Sequence, residues 1–147
     1  TVENCIGSAR APITVEPAFK RIGIAGAGVR TACTVVPNVP PVRAGSVVTV
    51  NALQTPEIEM TFNGVISRGI DGSPEDALGP PFNFPFPGLK AHSLVMRVGT
   101  QVAQGGKGKS FTVQQSGPLE FCINDDNFSD NGGAWGIALT VDESNAR

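Results

Sequence analysis

Apolar and polar residues alternate along much of this chain. In Glu57-Ile58-Glu59-Met60-Thr61-Phe62-Asn63 every second side chain is apolar, the period of a strand with one buried face. Leu119, Phe121 and Ile123 repeat the pattern, as do Trp135, Ile137, Leu139 and Val141. Residues 46–53 and 29–36 are β-branched and mostly apolar, and 94–98 and 110–114 are shorter candidates. Clusters of turn residues separate these runs, among them Pro37-Asn38-Val39-Pro40-Pro41, Gln104-Gly105-Gly106-Lys107-Gly108 and Ser116-Gly117-Pro118. No window carries the i, i+3, i+4, i+7 spacing of an amphipathic helix. Many short strands with frequent turns predict an all-β fold, a small β-sandwich or jelly roll.

The 147 residues suit one domain, residues 1–147. Within it, 42–142 hold the patterned core, and 1–41 read as a less regular N-terminal arm or as extra strands. The 18 Gly and 12 Pro exclude a helix bundle, since these are the two poorest helix formers. A net charge of −2 offers no basic stripe, so nucleic acid is not an expected partner. No apolar run approaches the ~20 residues of a membrane span, and membrane insertion is not expected. The chain begins at Thr1 rather than Met, which fits a processed or excised segment. Residues 71–87 break the strand pattern. Five prolines with Phe82, Phe84 and Phe86 among them make a stiffened loop, expected to tuck over a sheet edge.

Several motifs imitate catalytic or nucleotide sites without their context. Ile22-Gly23-Ile24-Ala25-Gly26-Ala27-Gly28 opens like a dinucleotide-binding turn, but Thr31 stands at the third Gly position and a strand pattern follows. The small residues there are expected to serve a turn or close strand packing. Gly108-Lys109-Ser110 resembles the end of a phosphate loop, yet Phe111-Thr112-Val113 alternates like a strand, so a solvated hairpin turn is expected. His92 is the one histidine, and its neighbour Ser93 should point to the opposite face. Glu57 and Glu59 share a strand face, expected to be the solvent face. Nothing here requires an enzyme, and none is expected.

The densest chemistry lies in 124–131, where three Asp, three Asn and Ser129 precede Gly132-Gly133. Carboxylate and amide oxygens are hard ligands, which suits Ca²⁺ rather than Zn²⁺. The helical calcium loop does not fit, because counting from Asp125 puts Asp130 at its Gly position and Gly136 at its final Glu position. A polar hairpin built on ordinary turn residues is the competing account.

Gly117-Pro118-Leu119-Glu120-Phe121-Cys122-Ile123-Asn124-Asp125, followed by Asp130-Asn131-Gly132-Gly133-Ala134-Trp135, resembles the C-terminal signature of the PA-IL-like lectins. These are calcium-dependent galactose-binding proteins with a galactose-binding-domain-like β-sandwich. The resemblance spans roughly residues 42–142; Leu94-Val95-Met96-Arg97-Val98-Gly99 and, more weakly, Asn63-Gly64-Val65-Ile66-Ser67-Arg68-Gly69 are similar to other strands of the family. It implies that Asp125, Asp130 and Asn131 supply side-chain oxygens to Ca²⁺. It further implies backbone carbonyls from Phe128 and Arg68, with two sugar hydroxyls completing the shell. Asp125, Asp130 and Asn131 would then also be the sugar-binding residues, with Asp126 pointing away to solvent. The family's His and Gln are absent from 71–87, and a Tyr expected at position 68 is Arg here, so galactose binding is expected to be weak.

The resulting expectation is a calcium-dependent carbohydrate-binding module that is secreted, periplasmic or at the cell surface, with a glycan as partner and a homo-oligomer compatible with it. The alternative is a structural or adhesive β-sandwich of an exported protein, in which Ca²⁺ only stabilises a loop. Of the three cysteines, Cys5 and Cys33 are the expected bridge, tying down the N-terminal arm, with Cys122 left as a free thiol.

Overall fold

In the computed structural model, residues 33–146 are described, together with the backbones of two earlier strands. In chain order the strands are β1 (Thr14–Val15), β2 (Ile22–Ala25), β3 (Cys33–Val35), β4 (Val47–Ala52), β5 (Met60–Phe62) and β6 (Ile66–Arg68). There follow β7 (Leu94–Val98), β8 (Gln101–Gln104), β9 (Lys109–Thr112), β10 (Leu119–Ile123) and β11 (Ala134–Asp142). No helix occurs among the described residues, and every strand pair is antiparallel. The fold is all-β, as the alternation predicts.

Two sheets hold most of the strands. In the first, β11 pairs with β4 on one side and with β1 and β2 on the other, and β9 lies beyond β4. The second runs β3-β10-β7-β8, and β5-β6 is a separate two-stranded piece. Their inward residues meet in one core: Val48 and Val50 of β4 and Ile137, Leu139 and Val141 of β11 pack with Leu94, Met96 and Val98 of β7 and Leu119, Phe121 and Ile123 of β10. Each such side chain, taken fully out of water, contributes about 1.5–3 kcal/mol. The β-sandwich character therefore follows from four period-two stripes closing on one another.

Within residues 1–41, β1 and β2 pair in the first sheet and β3 is an outer strand of the second. Residues 22–25 thus serve strand pairing against β11, with Gly23 opposite Gly136. Strand 57–63 is shorter than its alternation suggests, because Glu57 is drawn out of the ladder. Its carboxylate accepts from the Ile70 N–H at 3.1 Å and pairs with Lys107 Nζ at 3.2 Å, so the expected solvent role applies to Glu59 and not to Glu57. The 108–110 turn is not a hairpin either. It carries the chain from β8 in one sheet to β9 in the other.

The cysteine pairing differs from expectation. Cys33 and Cys122 are bridged, directly opposite each other on β3 and β10 with Cα atoms 4.0 Å apart. Cys122 alternates with core-facing Phe121 and Ile123, so it emerges on the other face of the sheet, where β3 delivers Cys33 to it. Sequence separation gave no hint of this, because the pairing depends on which strand lies beside β10. Cys5 lies outside the described residues.

Candidate functional site

The stripes that build the core also carry polar residues to one end of it. Along β10, Leu119, Phe121 and Ile123 face inward, and the next residue of that phase is Asp125. On β7 the inward series Val98, Met96, Leu94 continues to His92. Because Ile123 pairs with Leu94, Asp125 falls beside His92, with His92 Nε2 3.6 Å from Asp125 Oδ1. On β11 the inward series Val141, Leu139, Ile137, Trp135 ends at Gly133, whose φ of +80° turns the chain away from the strand next to Asn131. Asp125 and Asn131 lie just beyond the strand ends, at the end of the core, where they are 3% and 4% exposed.

Their polar atoms are not satisfied there. Asp125 Oδ1 accepts from the Asp126 N–H at 2.9 Å, but Asp125 Oδ2 has no hydrogen-bond partner, nor do Asn131 Oδ1 and Nδ2. An unpaired buried polar group costs about 1–3 kcal/mol, and more if charged. Burial accordingly raises the Asp125 pKa above its ordinary value of 3.8, against the opposing pull of the nearby Asn131 amide, the Asp126 N–H and His92.

His92 is held from its other nitrogen. Nδ1 shares a hydrogen bond with Ser73 Oγ at 2.8 Å, and Arg68 Nε donates to the same oxygen at 3.0 Å. The imidazole also packs on Phe62, with ring centroids 4.9 Å apart. Ser93 is engaged elsewhere: its Oγ donates to the Lys90 carbonyl at 2.7 Å, and His92, with φ +58°, sits in the turn before β7.

Residues 71–93 form a flap with its own short ladder. Ser73 N–H donates to Ala91 O at 2.8 Å, Ala91 N–H to Glu75 O at 3.0 Å, and Ala77 N–H to Leu89 O at 2.7 Å. Its neck needs Gly72, whose φ is +76° and whose added Cβ would sit 2.5 Å from Ser93 Cβ. The flap tip, rich in Pro and Phe, leaves Leu78 and Phe82 exposed while Phe84 is partly buried.

Between the flap, the β5–β6 hairpin and the acidic loop lies a cleft of about 440 Å³. The hairpin supplies Phe62, Asn63 and Ile66, and the flap supplies Leu78, Phe82 and Phe84. The acidic loop supplies Asp125, Asp126, Asn127 and Asp130, with His92 joining them. Apolar rings and hard oxygens thus line one space.

Of the residues singled out in the sequence, Asp125 and Asp130 line this cleft, and Asn131 lies beside Asp125. Asp130 is exposed, and its Oδ2 accepts from Asn127 Nδ2 at 3.3 Å. Phe128 and Arg68 do not line the cleft. The Phe128 carbonyl accepts from the Asn131 N–H at 3.3 Å, and the Arg68 carbonyl accepts from Trp135 Nε1 at 2.9 Å. Asp126 is exposed as expected, is among the residues lining the cleft, and has its side chain close to the Asp125 carboxyl. Two residues escaped sequence reasoning. His92 reaches the site only through the β7–β10 register, and Asn124 anchors the flap from a position that reads as ordinary turn composition.

Among the described residues, no three His, Cys, Asp or Glu side chains form a metal-holding group. The donors that fit a hard cation are instead mixed: the unpartnered Asp125 Oδ2 and Asn131 Oδ1, with Asp130 on the same cleft. Comparison with protein-family models, with curated proteins and with solved structures gives no match for this chain.

Proposed function

We propose that this chain is a calcium-dependent carbohydrate-binding module. Asp125, Asp130 and Asn131 would hold the ion, and the ion would offer its open positions to two hydroxyls of a sugar. The observation that carries the reading is the pair of buried oxygens, Asp125 Oδ2 and Asn131 Oδ1, left without partners at the end of the core. A hard cation satisfies both at once and removes the cost of burying a carboxylate. The Phe82 and Phe84 rings support a sugar ligand, since a pyranose pairs a hydroxyl-bearing edge with a C–H-lined face. The resemblance to PA-IL-like lectins points the same way. The Cys33–Cys122 bridge supports an oxidising location, hence a secreted, periplasmic or cell-surface protein.

One observation favours a second reading, in which Ca²⁺ only pins the loop of a structural or adhesive domain. The unpartnered oxygens are at least nineteen-twentieths buried, deeper than a sugar-facing ligand needs. A glycan array probed in Ca²⁺ and again in EDTA separates the two. Glycan binding that vanishes with chelation supports the module. A protein stabilised by Ca²⁺ that binds no glycan is the structural domain. A protein that takes up no Ca²⁺ is neither.

A further inference from the structure

The acidic residues of the cleft outnumber what a single calcium ion can neutralise. Asp125, Asp126 and Asp130 bring three carboxylates to one space, and no Lys or Arg is among the residues lining it. A divalent ion on Asp125 and Asp130 cancels two of these charges. One negative charge is left, and Asp126, exposed and lining the cleft, is the carboxylate outside the proposed calcium set. The flap rings Phe82 and Phe84 share that space, and aromatic faces attract cations. Asp125 lines the same cleft, and its buried Oδ2 has no partner, which marks the cleft as a place that takes a cation.

We propose that the sugar taken by this cleft is an amino sugar, its ammonium group held by Asp126 and the Phe82 and Phe84 rings while its hydroxyls reach the calcium ion. This rests on the calcium-dependent sugar-binding reading and names the ligand class for that site. The residual charge also ranks the competitors. A neutral hexose leaves Asp126 solvated and gains nothing from it, whereas a uronic acid meets a carboxylate and is repelled. The order of affinity is amino sugar, then neutral sugar, then acidic sugar.

The test is calorimetry in saturating Ca²⁺, at a pH where the amine is protonated. Galactosamine, glucosamine and mannosamine are each compared with the parent hexose and the matching uronic acid. An exposed ion pair and a cation–π contact together predict an amino sugar bound about tenfold more tightly than its parent hexose. Raising the salt concentration should narrow that gap. Asp126→Asn, loaded with Ca²⁺, should bring the amino sugar and its parent hexose to equal affinity, and Phe82→Ala should narrow the gap part way. Equal affinities in the wild type, or a preference that survives Asp126→Asn, would overturn the amino-sugar assignment and leave the lectin reading standing. Calcium uptake with no binding of any of these sugars would overturn both.

Discussion

Asn124 grips Phe86 from both ends of its amide: the Phe86 N–H donates to Asn124 Oδ1 at 3.1 Å, and Asn124 Nδ2 donates back to the Phe86 carbonyl at 3.0 Å. The same Nδ2 donates to the Lys90 carbonyl at 3.0 Å, and the Asn124 carbonyl accepts from the His92 N–H at 2.7 Å. Asn124 is fully buried and directly precedes Asp125. Two adjacent residues at the end of β10 therefore hold both sides of the cleft, one gripping the flap and the other supplying the carboxylate.

Replacing Asn124 with Ala should cost about 2–4 kcal/mol, since it removes several hydrogen bonds at once and strands buried flap carbonyls and an N–H. Urea unfolding measures the loss. Limited proteolysis should also nick residues 78–87 faster in the variant, because the flap tip loses its anchor. A change below about 0.5 kcal/mol with unaltered cleavage would mean that the flap ladder holds without Asn124.

The Cys33–Cys122 bridge joins residues 89 positions apart. On the loop-entropy model a closure of that length is worth roughly 4–5 kcal/mol, with 2–4 kcal/mol the usual measured range. Reductant should lower the melting temperature of the wild type and leave a Cys33→Ala, Cys122→Ala double variant unmoved. Non-reducing peptide mapping should recover the two peptides together. Recovery of Cys5 linked to either of them would contradict the pairing.

How far the residues disclosed this molecule depends on whether a feature is local. The alternation of Leu119, Phe121 and Ile123 marks β10 by itself, and the same rule placed β7 and β11 within a residue or so. β8 escaped because Gln101–Gln104 has no apolar alternation, and none of its residues is fully buried, Val102 being exposed. What needed a register stayed hidden. Cys122 finds Cys33, and Asp125 finds His92, through pairings that no local spacing encodes. Glu57 looked like a solvent residue for the same reason, since its partners Ile70 and Lys107 come from distant segments. The acidic loop was legible because its donors lie within eight residues, and the flap's part in the cleft was not.

Asp125 gives the metal-free protein a particular pH dependence. Burial raises its folded-state pKa above 3.8, so the carboxylate is less welcome folded than unfolded. Its contribution to stability is full below 3.8, where the group is protonated in both states. It is lost as pH climbs through the folded pKa, and stays lost above. Asp125→Asn does not titrate, so the stripped variant should gain on the stripped wild type as pH rises above 3.8 and level off once pH has passed the folded pKa. Urea midpoints for the two proteins across this range test the sign. Parallel curves would mean that Asp125 is at ease as a buried carboxylate and has no need of a cation.

Calcium should reverse that ordering. The ion binds the folded chain through oxygens that the unfolded chain does not gather, so free Ca²⁺ at 100 times its dissociation constant adds about 2.7 kcal/mol to wild-type stability. Asp125→Asn removes a charged ligand from the buried position and should abolish the gain. Asn131→Ala should weaken it, because the second buried oxygen is lost. Asp126→Asn should leave it nearly intact, because that carboxylate lines the cleft but is outside the proposed calcium set. Melting curves of stripped protein, with and without millimolar Ca²⁺ and repeated for the three variants, give all four outcomes in one series. If the wild-type melting temperature does not move and elemental analysis finds no bound ion, the unpartnered Asp125 and Asn131 oxygens are a cost of the fold with no cation to relieve it, and the calcium reading fails.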